Sequence, residues 1–325
     1  VTMPSVRYRS RVESTPGRDF LKEEGIESDY CAPLLSGWRP LREGLLALTD
    51  TISEIDSDHL LRVKKAYIKD MLPRLSPHAL ASVRVLTQTE SVNGVPGERF
   101  LEKIKRNTSM GFPYGEAKWK HMHMVEPNDT YQHPAEFIPE VYDEMRRIVE
   151  TYENEQRYHP VFQYHLKDEP VTKKKRSTGK TRIFSGAPVA FSLVVRERLL
   201  SFVKLVQDNP YVFESAPGIN PMSDEWADLY KHLTKFGEDQ IVGGDYSKYD
   251  KRMPAEFMFA AFDIILEVLR HCPNYDLNES VIRGIASDTC HPLGNFFGDL
   301  VTFHGSNPSG HPLTVIVNGL ANSLF

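Results

Sequence analysis

Ile241-Val242-Gly243-Gly244-Asp245 is a short apolar run that stops at a carboxylate, and nine residues later Pro254 opens a stretch in which Phe257, Ala261, Ile264, Ile265 and Val268 share one helical face. The run reads as a buried strand, and a proline at the first helical turn pre-sets the backbone angle of the helix behind it. Strand, turn and helix then frame two carboxylates, Asp245 and Asp250. That arrangement requires a mixed α/β (α+β) body with an acidic pair at its turn.

The rest of the chain agrees with mixed architecture. Residues 57–71 and 77–86 have helical periodicity, each opening on a serine able to cap exposed amide groups. Val141, Met145, Ile148, Val149 and Tyr152 form a stripe behind Pro139, Val161 to Leu166 reads as a strand, residues 181–184 as another, and 188–206 as a helix. Glycine and proline punctuate residues 93–97 and the 108–115 loop. Residues 1–20, with Arg7, Arg9, Arg11 and Arg18 among Ser, Thr and Pro, read as an extended arm. No internal repeat is present.

A length of 325 residues predicts about two domains or one large body with several subdomains. Three cysteines, Cys31, Cys272 and Cys290, without Cys-x-x-Cys spacing argue against a disulfide framework and a thiolate zinc site, which fits a reducing compartment. No stretch is long and apolar enough to predict a transmembrane segment, and the first residues show no apolar h-region of a signal peptide. Val1 at the start, and an apolar helical pattern running to Phe325 without a cap, suggest a piece cut from a longer protein.

Charge is distributed unevenly. Residues 167–182 hold seven Lys and Arg against two acids, a local +5 in a chain of net charge −5. Such a concentration suits phosphate contacts, because neutralising a polyanion releases counterions; the competing reading is a solvated surface loop. Gly179-Lys180-Thr181 imitates the end of a phosphate-binding P-loop, but Lys174 stands where that motif needs glycine. A carboxylate such as Asp245 at a strand end can hold magnesium, which prefers hard oxygen ligands, although chance Asp pairs are common. Gly305-Ser306-Asn307-Pro308-Ser309-Gly310 is a small-residue loop ahead of a helix bearing Thr314 and Asn318 on one face; Asn307 spoils a hydrolase Gly-x-Ser-x-Gly. The His121 and His123 pair reads as structural, and the rings of Phe296, Phe297, Tyr246 and Tyr249 as core or as stacking surfaces.

Taken in order, Thr108-Ser109-Met110-Gly111-Phe112-Pro113-Tyr114, then Lys167-Asp168-Glu169 with Gly179 to Arg182, then Asp245 to Asp250, then Pro308-Ser309-Gly310 with Thr314 and Asn318, resemble one family. It is the RNA-dependent RNA polymerase of picornavirus-like positive-strand RNA viruses (order Picornavirales), and the resemblance spans 218 of 325 residues. The resemblance implies a right-hand polymerase fold represented by fingers and the first part of the palm, with the thumb absent. It divides the chain into an N-terminal arm and N-terminal fingers (1–107), fingers with the template loop and the basic nucleotide-contact loop (108–239), and the start of the palm (240–325).

By the same resemblance Thr108, Ser109, Gly111 and Pro113 bind the RNA template, and Lys167, Lys175 and Arg182 contact the incoming triphosphate. Asp245 and the Tyr246 carbonyl hold a metal ion, Mg2+ or Mn2+ in its place. Asp250, Ser309, Gly310, Thr314 and Asn318 read the ribose. The implied reaction is RNA-templated nucleotidyl transfer by two-metal catalysis in viral genome replication. Implied partners are template and primer RNA, nucleoside triphosphates, a genome-linked protein primer and other viral replication proteins. The implied setting is the host-cell cytoplasm, in membrane-associated replication complexes. One departure stands out: the family's Gly-Asp-Asp is absent, no Asp-Asp dipeptide occurs, and its expected place lies past Phe325, so the piece itself is expected to be inactive. The alternative is a non-catalytic RNA-binding module that uses residues 167–182.

Overall fold

The computed structural model describes residues 9–49 and 54–325; Arg7 and the start of the expected arm lie outside the described residues. In chain order the elements are α1 (Arg18–Glu23), β1 (Tyr30–Cys31), α2 (Trp38–Leu46), α3 (Ser57–Met71), α4 (Pro77–Ala81) and α5 (Gln88–Asn93). There follow β2 (Met122–Met124), β3 (Ala135–Phe137), α6 (Pro139–Glu153), β4 (Val161–Leu166), β5 (Val171–Thr172), α7 (Lys173–Ser177) and β6 (Ile183–Gly186). The chain continues with α8 (Val189–Asp208), α9 (Asp224–Leu233), α10 (Ala255–Arg270), α11 (Glu279–Cys290), β7 (Leu293–Phe296), β8 (Asp299–Thr302) and α12 (Thr314–Asn322).

Helix starts follow local chemistry. Asp56, not the expected Ser57, caps α3 by accepting from His59 N at 2.9 Å, and Ser76 caps α4 by accepting from Ala79 N at 3.1 Å. Thr87 and Glu90 form a reciprocal capping box on α5, and the Arg84 guanidinium beside Glu90 holds that carboxyl down at about 2. The helix expected over 77–86 stops at Ala81, because the following backbone bonds α8 instead: Arg84 N donates to Ser201 Oγ at 3.2 Å and Leu86 N to the Glu197 carbonyl at 2.8 Å. Tertiary partners here outbid continuation of the helix.

The core lies between two groups of helices. α8 is apolar on nearly every side and is buried along its length against α5 and α6, as an all-round hydrophobic helix must be. α10 packs against α3, α11 and α12. The main sheet has the order β6-β4-β7-β8; β4 runs antiparallel to β6 and parallel to β7, with Leu166 opposite Ile183 and Val161 opposite Leu293. Two small antiparallel ribbons, β1 with β5 and β2 with β3, stand apart from it.

Three further sequence expectations need correction. Residues 9–17 lack regular structure, but residues 18–20 begin α1 instead of extending the arm. The basic 167–182 segment is not a plain loop: it holds β5 and then α7, capped by Thr172 Oγ1 accepting from Lys175 N at 3.2 Å. The buried strand expected at 241–245 does not form; Ile241 is 47% exposed and Val242 97% exposed. An apolar run becomes a buried strand only where neighbouring strands accept its backbone groups, and among the described residues none pairs with this one.

Candidate active site

The 305–310 loop is fastened on two sides. Ser309 and Ser185 bond reciprocally across to β6, Ser185 N to Ser309 Oγ and Ser309 N to Ser185 Oγ, both at 3.0 Å. On the other side Ser306 N donates to the Met253 carbonyl and Asn307 N to the Asp250 carbonyl, each at 2.8 Å. Gly305 allows the turn with φ +79°, and an added Cβ would meet the Met253 carbonyl oxygen at 2.3 Å. Beneath the loop, His311 is buried between the rings of Phe162 and Phe191, and its Nδ1 accepts from Leu313 N at 3.2 Å. Burial pushes its imidazole down to about 3, so it stays neutral in any physiological buffer.

Gly310 shows why a small residue stands here. A Cβ on it would lie 2.0 Å from the Ser185 carbonyl oxygen, so any side chain lifts the loop from β6. Gly310→Ala is expected to cost about 1–3 kcal/mol by overpacking, whereas Gly17→Ala, with nothing within 4 Å of the new methyl, shifts stability by about 0.5 kcal/mol or less, as exposed substitutions do. Urea denaturation of the two variants makes the comparison.

Asp250 and α12 meet through a residue that sequence reasoning passed over. Asn307 Nδ2 donates to Asn318 Oδ1 at 2.9 Å and to the Thr314 carbonyl at 3.0 Å, while its backbone amide holds Asp250. Asn307 thus bridges the Asp250 backbone to the Asn318 side chain. Asn307 Oδ1 is buried without a partner. Thr314 Oγ1 is committed to the loop, donating to the His311 carbonyl at 2.9 Å. Asp250, Asn307 and Ser309 line, with Tyr164, Ser185 and Lys251, a cavity of about 10 Å³, room for about one water.

Positive charge borders this cavity. Lys251 has its ammonium pushed below the usual lysine range by burial; Asp250 opposes that shift, and Arg182 and Lys248 add to it. The basic segment therefore reaches the acidic turn through Arg182. Glu169 gathers two of the expected phosphate contacts, Lys167 Nζ at 3.0 Å and Arg182 Nη1 at 3.3 Å. Lys175 stands on α7, exposed, and its ammonium has no ion-pair partner among the described residues. Ser10 Oγ and Arg11 N, from the N-terminal segment, close on Asp168 at 2.5 and 2.7 Å.

Asp245 is exposed at the start of the turn to Asp250, which Lys248 completes with φ +57°. The turn is tied to α12 by aromatic contacts: Tyr249 donates its hydroxyl to the Asn318 carbonyl at 3.1 Å, Tyr246 packs on Tyr249 at 4.8 Å, and Phe325 packs beside both. Among the described residues no three His, Cys, Asp or Glu side chains gather as metal ligands. His121 and His123 lie instead beside Glu116 and Glu136, at 3.3 and 3.7 Å.

The 108–115 loop packs on the junction of β6 and α8. Val189 N donates to the Met110 carbonyl at 2.8 Å, and a Cβ on Gly111, whose φ is +79°, would meet the Ala187 carbonyl oxygen at 2.6 Å. Buried Lys118, unnoticed in the sequence, reaches from below to Thr108 Oγ1 and the Ser109 carbonyl. The 108–115 loop, basic segment, acidic turn and small-residue loop therefore converge on β6 and its flanks.

The sequence model of the family described as viral RNA-dependent RNA polymerase matches residues 28–325. The replicase polyprotein of Drosophila C virus (strain EB) is 26% identical over 334 residues, covering 99% of this chain and 18% of that polyprotein. The RNA1 polyprotein of Cowpea mosaic virus (strain SB) is 29% identical over 246 residues, covering 73% of this chain and 13% of its own length. Among solved structures, a Sicinivirus 3Dpol RNA dependent RNA polymerase superposes with a TM-score of 0.74 at 18% identity, over 100% of this chain and 64% of that one. The chain thus has the fold of a viral polymerase and spans less than a fifth of these curated relatives.

Proposed function

The chain belongs to the viral RNA-dependent RNA polymerase family, and on that premise we propose that it supplies the fingers and the first part of the palm of an enzyme that copies RNA from RNA. The reaction is transfer of a nucleotide from a nucleoside triphosphate to an RNA 3′ end. The observation that carries the reading is the shared cavity of Asp250, Asn307 and Ser309, bordered by Lys251 and within the field of Arg182. In this reading the 108–113 loop guides the template, and Lys167, Lys175 and Arg182 balance triphosphate charge. Asp250, Ser309 and the Asn307–Asn318 pair read the ribose. The setting is the host-cell cytoplasm, with template, primer, a genome-linked protein primer and other replication proteins as partners.

Asp245 and the Tyr246 carbonyl are oxygen donors of the kind Mg2+ or Mn2+ accepts. Alone they are too few for a pair of ions, since no further ligand group gathers with them among the described residues. Metal held by Asp245 and the Tyr246 carbonyl would supply Lewis-acid activation of the 3′-hydroxyl and charge stabilisation for the leaving pyrophosphate. With no Asp-Asp dipeptide in its 325 residues, the chain alone is expected to bind RNA, more weakly as salt rises, and not to extend a primer.

Sugar choice gives the sharpest test. Asn318→Asp keeps the oxygen that accepts from Asn307 Nδ2, so the loop geometry survives, but it removes the amide donor and adds a carboxylate near Asp250. Hydrogen bonds to charged groups contribute about 1.5–3 kcal/mol, which is about ten- to a hundredfold in rate. In a polymerase carrying this chain, the ratio of kcat/KM for ATP to that for dATP is expected to fall by that factor. An unchanged ratio would remove these residues from ribose recognition.

A further inference from the structure

The loop expected to meet the template has already spent its side-chain hydroxyls. Thr108 Oγ1 donates to the Lys105 carbonyl at 2.7 Å and accepts from Lys118 Nζ at 2.9 Å. Ser109 Oγ accepts from Gly111 N at 3.0 Å and donates to the Gly115 carbonyl at 3.3 Å. A phosphate arriving at exposed Thr108 and Ser109 therefore finds both hydroxyls engaged. What can attract it is charge.

That charge lies directly underneath. Lys118 is only 8% exposed, its ammonium rests on Thr108 Oγ1 and the Ser109 carbonyl, and no carboxylate pairs with it among the described residues. Its surroundings do not neutralise it. Arg196, from α8, ends on the carbonyls of Ser91 and Glu102 at 2.7 and 2.6 Å, and Arg106 ends on the His133 carbonyl at 2.9 Å and Asn93 Oδ1 at 3.2 Å. On its own turn Lys120 and His121 share Glu116. The Glu102 carboxylate acts on Arg196 and partly offsets its charge, but Lys118 and Arg106 rest on neutral acceptors, although a buried charge without a counter-ion costs free energy.

We infer that Lys118 is a positioning residue for the template: its buried ammonium supplies the positive charge that seats a backbone phosphate of single-stranded RNA on the Thr108–Ser109 surface. The inference rests on the polymerase reading and deepens it. The phosphate provides the counter-charge that no described residue supplies, while the fixed hydrogen bonds to Thr108 and Ser109 keep the ammonium in register with the loop.

Burial and Arg196 push the Lys118 ammonium down to about 8. A bound phosphate favours the charged form, so RNA affinity is full below that pH and falls above it, where unperturbed lysines remain charged. Arg196, lowered by burial to about 10, stays mostly charged across this window.

The test measures the affinity of the 325-residue chain for short 2′-O-methyl single-stranded RNA, which survives alkali, by fluorescence anisotropy at constant salt. Between pH 7 and 9.5 the unmodified chain should lose about tenfold in affinity, a magnitude set by one charged contact. Lys118→Arg should bind as tightly at pH 7 and lose the pH dependence, because arginine stays charged. Lys118→Met should bind about tenfold more weakly at pH 7, without pH dependence and with a salt slope smaller by about one. A flat profile for the unmodified chain, or an equal fall in Lys118→Arg, would overturn the inference while leaving RNA binding intact. No salt-sensitive RNA binding by any of the three proteins would overturn the polymerase reading with it.

Discussion

Asp288→Ala is expected to destabilise the chain by about 3–5 kcal/mol, the loss that follows when one member of a buried ion pair is removed. The side chain is completely buried on α11, and each oxygen is engaged. Oδ1 accepts from Arg157 Nε at 2.8 Å; Oδ2 accepts from the Tyr152 hydroxyl at 2.8 Å and from the amides of Tyr158 and His159 at 3.1 Å each. Those donors come from α6 and from the turn that delivers β4 to the centre of the main sheet. His159 holds a left-handed conformation, φ +58°, in that turn. Truncation leaves a guanidinium, a phenol and two amides without their acceptor, and the sheet beneath the small-residue loop loses its anchor. Domains of this kind have about 5–15 kcal/mol of total stability, so the variant would stand near the edge of folding. Asp288→Asn keeps an acceptor oxygen and should lose only about 1–3 kcal/mol. Urea titrations followed by circular dichroism rank the two, and a loss under about 1 kcal/mol for the alanine variant would mean that the network does not hold the turn.

What the sequence could disclose divides along physical lines. α6 and α10 were legible because their apolar periodicity and opening prolines, Pro139 and Pro254, are local signals, and α8 because a long, largely apolar run follows Pro188. β4 was legible for the same reason. The hairpin of β7 and β8 was not: its two-residue turn places Phe297 and Gly298 at φ +56° and +112°, a turn usually marked by Asn-Gly, and phenylalanine gives no such signal. Residues 241–245 misled because strand formation depends on partners that a local pattern cannot supply.

The candidate site divides in the same way. Ser309, Gly310 and Asp250 emerged from the order of short motifs, and these residues meet around one small cavity or pack on its wall. Asn307, Lys118 and Lys251 did not emerge, since each takes its role from neighbours distant in sequence. Asn307 is the clearest case. As a sequence feature it only spoiled a hydrolase motif, yet in the fold it joins Asp250 to Asn318. An Asn-Pro step inside a glycine-bounded turn was the available signal.

The most direct test of the polymerase reading is Asp245→Asn. The exchange preserves the size and shape of the side chain and removes only its charge, and Asp245 is exposed, so stability should change little. The turn it begins stays tied to α12 through Tyr249 and the Asn318 carbonyl whichever residue stands at 245. In a polymerase that carries this chain, single-turnover primer extension and RNA affinity are measured side by side on the same preparation. Extension is expected to fall by about a thousandfold or more, equivalent to about 4 kcal/mol of barrier, while RNA affinity remains within about twofold of the unmodified enzyme. Extension retained to within tenfold, or RNA affinity lost in step with extension, would contradict the assignment of Asp245 to the chemistry and leave it a structural carboxylate.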